Sequence, residues 1–213
     1  MAILAFLCFL FIVFLMSTAV QPLWERIGVL LIPALVLGGV GFLALKGMLD
    51  SKITAVLTVL LSAIFLLASI CYTFFLLLWT ATTDTTDVQY YPRAYAQIKN
   101  GGGVNGVFPQ IVPTDAEDIS FHYNPAFLQG GEVFKLSYTV TEEKVSEWTA
   151  LLENAAAWAG SNEEWHHVNN WLFYGTDCIR YQLYRDGGMN HGEMSYVLID
   201  PSICRITFCY EDW

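Results

Sequence analysis

The chain has 213 residues, of which 14% are charged and 55% hydrophobic, and its formal net charge at pH 7 is −10. Soluble domains carry about 25% charged residues, so this composition does not describe one soluble domain. Residues 81–213 hold 18 acidic and 7 basic side chains. This charge argues against nucleic acid as a partner, because phosphate binding needs clustered Lys and Arg.

Residues 1–80 form a predicted membrane anchor. The stretch 53–79 contains no charged residue, and about 20 apolar residues in a helix cross the hydrocarbon core of a bilayer. With two earlier apolar runs, the pattern predicts three transmembrane helices at about 2–20, 27–45 and 53–79, partnered by lipid. The alternative for the first run is a cleaved signal peptide, but its start lacks the expected positive charge.

The predicted spans carry two further features. Pro33 predicts a kink, because its ring removes a backbone hydrogen bond from the helix. Small residues also recur on one face of each later span, where they allow close packing against the other spans, another membrane protein or a second copy. These small residues are Ala34, Gly38, Gly41, Ala55, Ser62 and Ser69.

The loops between the spans predict the orientation. Lys46 and Lys52 flank the second loop, and cytoplasmic loops are enriched in Lys and Arg. We therefore expect a multi-pass protein of the cell membrane with a cytoplasmic N-terminus and the C-terminal domain outside. Trp24 and Trp79 then lie at the same outer interface, where indole rings prefer to sit.

Residues 81–107 are predicted to be a neck. Residues 90–100 predict either a short helix that lies near the membrane interface with its tyrosines toward the headgroups, or a packed loop of the following domain. Gly101, Gly102 and Gly103 predict a turn, because they lack the strand–GxGxxG–helix context of a dinucleotide site.

Residues 108–213 predict one extracytoplasmic α+β domain with an antiparallel sheet and a single covering helix. Thr141 caps that helix, with acids in its first turn, and Gly160 ends it. In the strand predicted at 178–185, Ile179, Tyr181 and Leu183 are expected to point inward. Period-two alternation predicts strands at 119–123, 132–140, the end of 165–174, 178–185, 194–199 and 204–210.

Candidate catalytic groups are few. The sequence contains no HExxH, CxxC or GxSxG motif. A hydrolase site assembled from distant residues would use His122, His166, His167 and Glu164 as acid–base groups. Adjacent residues of a strand point to opposite faces, so the two neighbouring histidines do not favour one metal ion. We therefore assign no catalytic, cofactor-binding or metal residue and predict no cofactor.

Cys178, Cys204 and Cys209 lie in the predicted outer domain. Two of them form a disulfide in an oxidising compartment, or all three are buried thiols. Alternation places Cys204 on the apolar face with Ile206, and Cys209 on the other face.

Aromatic residues are numerous in this half of the chain. Tyr and Trp are favoured at binding surfaces, while core and membrane contacts are the alternative explanation. The residues concerned are Tyr90, Tyr91, Tyr95, Trp148, Trp158, Trp165, Trp171, Phe173 and Tyr174.

Residues 119–140 (ISFHYNPAFLQGGEVFKLSYTV), with the FLQGG turn and the acid-capped helix that follows, resemble uncharacterised membrane-anchored proteins of Gram-positive bacteria. The resemblance covers about 50 residues and implies membrane anchoring without an activity. The sequence as a whole predicts a membrane-anchored module for binding, sensing or assembly. A membrane-bound hydrolase and a carrier of a small apolar ligand are the alternatives.

Overall fold

The computed structural model describes residues 2–126, 131–161, 178–187 and 192–213. The chain divides into two compact units, Met1–Ala81 and Thr82–Trp213. Residues 82–107, which the sequence predicts to be a neck, belong to the second unit.

The first unit consists of apolar helices. Their bounds are α1 Ala2–Thr18, α2 Trp24–Ile27, a 3-10 turn Gly28–Leu31, α3 Ile32–Leu45 and α4 Ser51–Thr82. By length and composition, the helical stretch Trp24–Leu45 and α4 are each sufficient to cross a membrane, whereas α1 is shorter. The 3-10 turn lies directly before Pro33, so the helix is distorted where the sequence predicts a kink.

The loop after α1 and the end of α4 lie at the same end of this unit. The guanidinium of Arg26 stands 4.2 Å from the ring centre of Trp79, and the Tyr72 hydroxyl donates to the Arg26 carbonyl oxygen at 3.0 Å. Met16 and Leu76 are buried in the same apolar cluster. These contacts place the C-terminal ends of α1 and α4 at the same end of the first unit.

The second unit contains a six-stranded antiparallel sheet with the order β1-β2-β6-β5-β4-β3. The α+β fold predicted from the sequence is therefore confirmed. The elements are α5 Tyr91–Ile98, β1 Glu117–Asn124, β2 Glu132–Thr139, α6 Glu142–Ala155, β3 Trp158–Ser161, β4 Ile179–Gly187, β5 Gly192–Asp200 and β6 Arg205–Asp212.

One face of the sheet carries an aromatic core. Phe134 and Tyr138 of β2 and Phe208 of β6 are fully buried, as the alternation predicts. Trp148 of α6 packs edge-on against Phe208, with 5.1 Å between ring centres. Burying such a side chain stabilises the fold by about 1.5–3 kcal/mol relative to leaving it exposed.

Helix α6 covers this face, as the sequence predicts, and the shorter helix α5 packs against the same face. Tyr91 is fully buried, and its ring centre lies 5.6 Å from that of Phe121 and 5.5 Å from that of Phe134. This segment therefore packs against the domain, as the second alternative predicts, but it does so as a helix and not as a loop. Tyr91 and Tyr95 belong to the core of the domain.

Thr141 caps α6, since the Lys144 backbone N–H donates to its hydroxyl oxygen. The predicted end at Gly160 is wrong. The helix stops at Ala155 because Ala156 is extended, and β3 then pairs with β4. The alanines and the glycine of residues 155–160 fit a helix and a short edge strand equally well. Periodicity alone therefore does not decide between a helix and a strand here.

Two further details differ from the alternation pattern. The register of β4 against β5 shifts between Gln182 and Tyr184, and Ile179 at its start is 38% exposed rather than inward-facing. Cys204 precedes β6, has a φ of +52° and is partly exposed, so it does not share the apolar face with Ile206. The predicted strand within 165–174 lies outside the described residues.

The triglycine segment forms a turn, as predicted, and it lies tightly against the sheet. A Cβ atom on Gly102 would stand 2.1 Å from Cδ1 of Tyr184. The Gly102 N–H donates to Glu193, and its carbonyl accepts from the Ser195 hydroxyl. Gly103 has a φ of +73°, which glycine adopts without strain.

Candidate functional site

A groove lies on the surface of the second unit. Its volume is about 350 Å³, which falls within the range of about 300–1,000 Å³ typical of ligand pockets. Loop 113–115, the residue after β2 and one face of α6 line it. The lining residues are Pro113, Asp115, Val140, Lys144, Glu147, Trp148 and Leu151.

Trp148 and Leu151 supply the apolar part of the groove. The Trp148 ring is held by its edge contact with buried Phe208, while the residue as a whole is only half-buried. Leu151 lies one turn further along α6 and is 44% exposed. A fixed indole beside an exposed leucine is typical of the apolar centre of an interface, where aromatic residues contribute most of the binding energy.

Charged side chains lie beside this apolar part. The Lys144 ammonium forms an ion pair with Glu147 at 2.7 Å. The hydrogen bond that Lys144 donates to Glu147 raises the pKa of Lys144, and the charge of Asp115 acts in the same direction. Asp115 is exposed, so the groove combines two carboxylates with one ammonium group.

Tyr138 is a buried tyrosine of β2 whose pKa responds to the charge of Asp115 in the groove. Tyr138 is fully buried, and its hydroxyl has no hydrogen-bond partner among the described residues. Burial raises the pKa of Tyr138, and the negative charge of Asp115 raises it further. A buried hydroxyl without a partner costs about 1–3 kcal/mol, so this position favours a polar contact.

A second cluster of charges lies at one end of the sheet. Glu132, Asp212, Glu193 and Asp186 are successive cross-strand partners on β2, β6, β5 and β4. Burial raises the pKa of Glu132, which accepts a hydrogen bond from the Tyr123 hydroxyl at 2.6 Å. With Gly102 bonded to Glu193, the row holds the glycine turn against the sheet, so we interpret it as structural.

The structure describes one of the four predicted acid–base candidates. His122 lies on β1 with its Nε2 atom 3.1 Å from a carboxylate oxygen of Asp84, on an exposed surface. His166, His167 and Glu164 lie outside the described residues. Within the ranges that the structure describes, no three His, Cys, Asp or Glu residues are grouped to hold a metal ion.

All five cysteines lie among the described residues, and none of them forms a disulfide. Cys209 is buried on the face of the sheet opposite the aromatic core, as its alternation predicts. Cys178 and Cys204 are partly exposed, so the expectation of three buried thiols is wrong for these two. Cys204 lies in the turn before β6, where side chains reach solvent more readily than within a central strand.

Most of the predicted aromatic surface is core or lies outside the described residues. Tyr91 and Tyr95 are buried, and Trp165, Trp171, Phe173 and Tyr174 are not described. Trp148 alone of the predicted set lines the groove. The groove itself escaped prediction, because its residues come from three segments up to 38 positions apart. The only sequence signals were Trp148 on the helical stripe and the proline at 113.

The first unit contains a smaller apolar cavity of about 110 Å³ between α1, α3 and α4. Ser62 and Ser69 line it together with Cys8 and Pro33, so these two serines face the other helices, as predicted. The glycines of α3 differ. A Cβ atom on Gly38 or Gly41 would meet nothing within 4 Å, so association through this face stays a prediction.

The fold and groove together define a chain with N-terminal apolar helices and a C-terminal α+β domain that carries a mixed apolar and charged groove. No protein-family model, curated protein or solved structure matches the chain.

Proposed function

We propose that the protein is a membrane-anchored binding module whose α6 groove receives a segment of another protein. The observation that carries this proposal is the half-buried Trp148 beside exposed Leu151 in a groove of about 350 Å³. The proposal includes three spans, a cytoplasmic N-terminus and the second unit outside the cell.

The apolar surface of the first unit supports the membrane anchor. Large apolar side chains are exposed along all three of its helical stretches, and water would disfavour each by about 25 cal/mol per Å². Lipid removes that cost. Examples with at least half of their surface exposed are Leu4, Phe11, Phe14, Leu35, Leu66 and Phe74.

The orientation has its own test in intact cells. We expect a membrane-impermeant maleimide to label the full-length protein through the partly exposed Cys178 and Cys204, because the second unit lies outside. The double variant Cys178→Ser/Cys204→Ser is the control and should lose most of the label. Labelling that appears only after permeabilisation would place the second unit in the cytoplasm.

The groove is tested by a photo-crosslinking amino acid at position 151 of the full-length protein in its host cells. We expect a discrete crosslinked adduct from position 151 and at least fivefold less from position 88. Val88 is the matched control, since it is 39% exposed against 44% for Leu151 and does not line the groove.

The adduct must also depend on the apolar contact. A Leu151→Asp substitution places a charge in the apolar centre of the groove. It should reduce at least tenfold the amount of the crosslinked partner protein that co-purifies with the chain, whereas Val88→Asp should leave that amount unchanged. Equal crosslinking from positions 151 and 88, or none from either, would contradict the proposal.

A carrier of a small apolar ligand is the second candidate, because an apolar cavity lies in the first unit. Its volume of about 110 Å³ is well below the range of about 300–1,000 Å³ typical of ligand pockets. The larger groove therefore carries the main proposal.

A further inference from the structure

Resting on the function proposed above, we infer that the segment bound in the α6 groove is basic and carries a Lys or Arg side chain next to a large apolar one. The apolar side chain packs on Trp148 and Leu151, and the cation pairs with Asp115. The inference concerns the chemistry of the partner, which the groove alone does not specify.

The charges of the groove favour a cation. Among the described lining residues, Lys144 is the one basic side chain, and its ammonium group is paired with Glu147 at 2.7 Å. Asp115 forms no ion pair within 4.0 Å among the described residues, although its charge also acts on Lys144. An incoming ammonium or guanidinium group would therefore meet an exposed carboxylate that Lys144 does not pair with, in a groove whose described side chains include two carboxylates and one ammonium group.

The acidic charge of the rest of the second unit also favours a basic segment. Residues 82–213 carry 18 acidic and 7 basic side chains, and Glu142 and Glu143 are exposed in the first turn of α6, next to Lys144. Charges within a Debye length of about 8 Å act on an approaching segment at physiological salt. An acidic segment would be repelled during its approach, and a basic one would be attracted.

Selection from a displayed library of random dodecapeptides tests the inference. The target is the full-length protein in lipid nanodiscs, and the counter-target is the Leu151→Asp variant in the same nanodiscs. We expect peptides enriched on the wild type over the variant to contain at least twice the Lys and Arg frequency of the starting library, within three residues of a Leu, Ile, Phe, Met or Trp.

The affinities of one enriched peptide for variants of the protein then identify the side chain that pairs with its cation. Asp115→Asn should weaken binding about threefold to fivefold, the upper range for an exposed ion pair. Glu153→Gln is the matched control, since Glu153 is an exposed acid of the same helix that does not line the groove. Its affinity should not change.

The outcomes separate the two proposals. Enriched peptides without excess Lys or Arg, or peptides that bind Asp115→Asn as tightly as the wild type, would overturn the basic-segment inference and leave the groove as a binding site. No enrichment over Leu151→Asp would overturn the groove itself and the inference with it.

Discussion

Replacing Phe208 by Ala should lower the free energy of unfolding of the second unit by about 3–5 kcal/mol, the usual cost of truncating a buried aromatic side chain. Phe208 is fully buried on the central strand β6. Its ring centre lies 5.1 Å from that of Trp148, 5.3 Å from that of Phe108 and 5.8 Å from that of Tyr138. Truncation therefore leaves a cavity that three separate elements line.

Pulse proteolysis of the full-length protein in nanodiscs across a urea series measures this loss for the second unit. The matched control is Phe74→Ala, the same chemical change at a position of α4 that is 68% exposed. We expect the control to leave the urea midpoint of the second unit unchanged. A loss below about 1 kcal/mol for Phe208→Ala would contradict the assignment of this residue to the core.

Local patterns predicted much of the second unit because the physics that produces them is local. Period-two alternation placed Phe134 and Tyr138 on one face of β2, and a threonine followed by two acids placed the start of α6. These signals depend on near neighbours in the chain. The structure agrees with them where burial on one face dominates the choice of conformation.

Features that depend on distant residues were not predictable in the same way. The order β1-β2-β6-β5-β4-β3 places β2 beside β6, and no local pattern specifies that pairing. The sequence predicts a helix up to Gly160. Residues 158–161 form a strand instead, because they pair with β4. The groove has the same origin, since Asp115 and Leu151 meet only after the sheet and α6 are in place.

The alternation pattern also did not predict which buried groups have shifted pKa values. Tyr138 was recognised as an inward-facing residue of a strand, but the absence of a partner for its hydroxyl among the described residues is a property of the packed core. The burial of Tyr91 likewise depends on the docking of α5 against Phe121 and Phe134. Both tyrosines therefore make the stability of the second unit dependent on pH.

The stability of the second unit should fall steeply above pH 10. Burial raises the pKa of Tyr91 and of Tyr138 far above the ordinary value of 10.0, because ionisation would place a phenolate in the core. Both tyrosines stay protonated in the fold and lose their protons in the unfolded chain. Their neutral forms therefore contribute full stability below pH 10, and that stability is lost as the pH rises further.

The expected slope follows from the number of protons involved. Each such tyrosine lowers the free energy of unfolding by about 1.4 kcal/mol per pH unit above its unfolded pKa. Tyr91 and Tyr138 together therefore give about 2.7 kcal/mol per pH unit. Tyr123 and Tyr210 act in the same direction, since burial also raises their pKa values.

Urea midpoints of the full-length protein in nanodiscs between pH 8 and pH 11 measure this slope, and Tyr138→Phe is the matched variant. Phenylalanine keeps the ring contact with Phe208 and removes a hydroxyl that has no partner among the described residues. We therefore expect the variant to be at least as stable as the wild type at pH 8. Above pH 10 its slope should be shallower by about 1.4 kcal/mol per pH unit. An unchanged slope would mean that Tyr138 ionises as readily in the fold as in the unfolded chain, which is incompatible with its burial in the core.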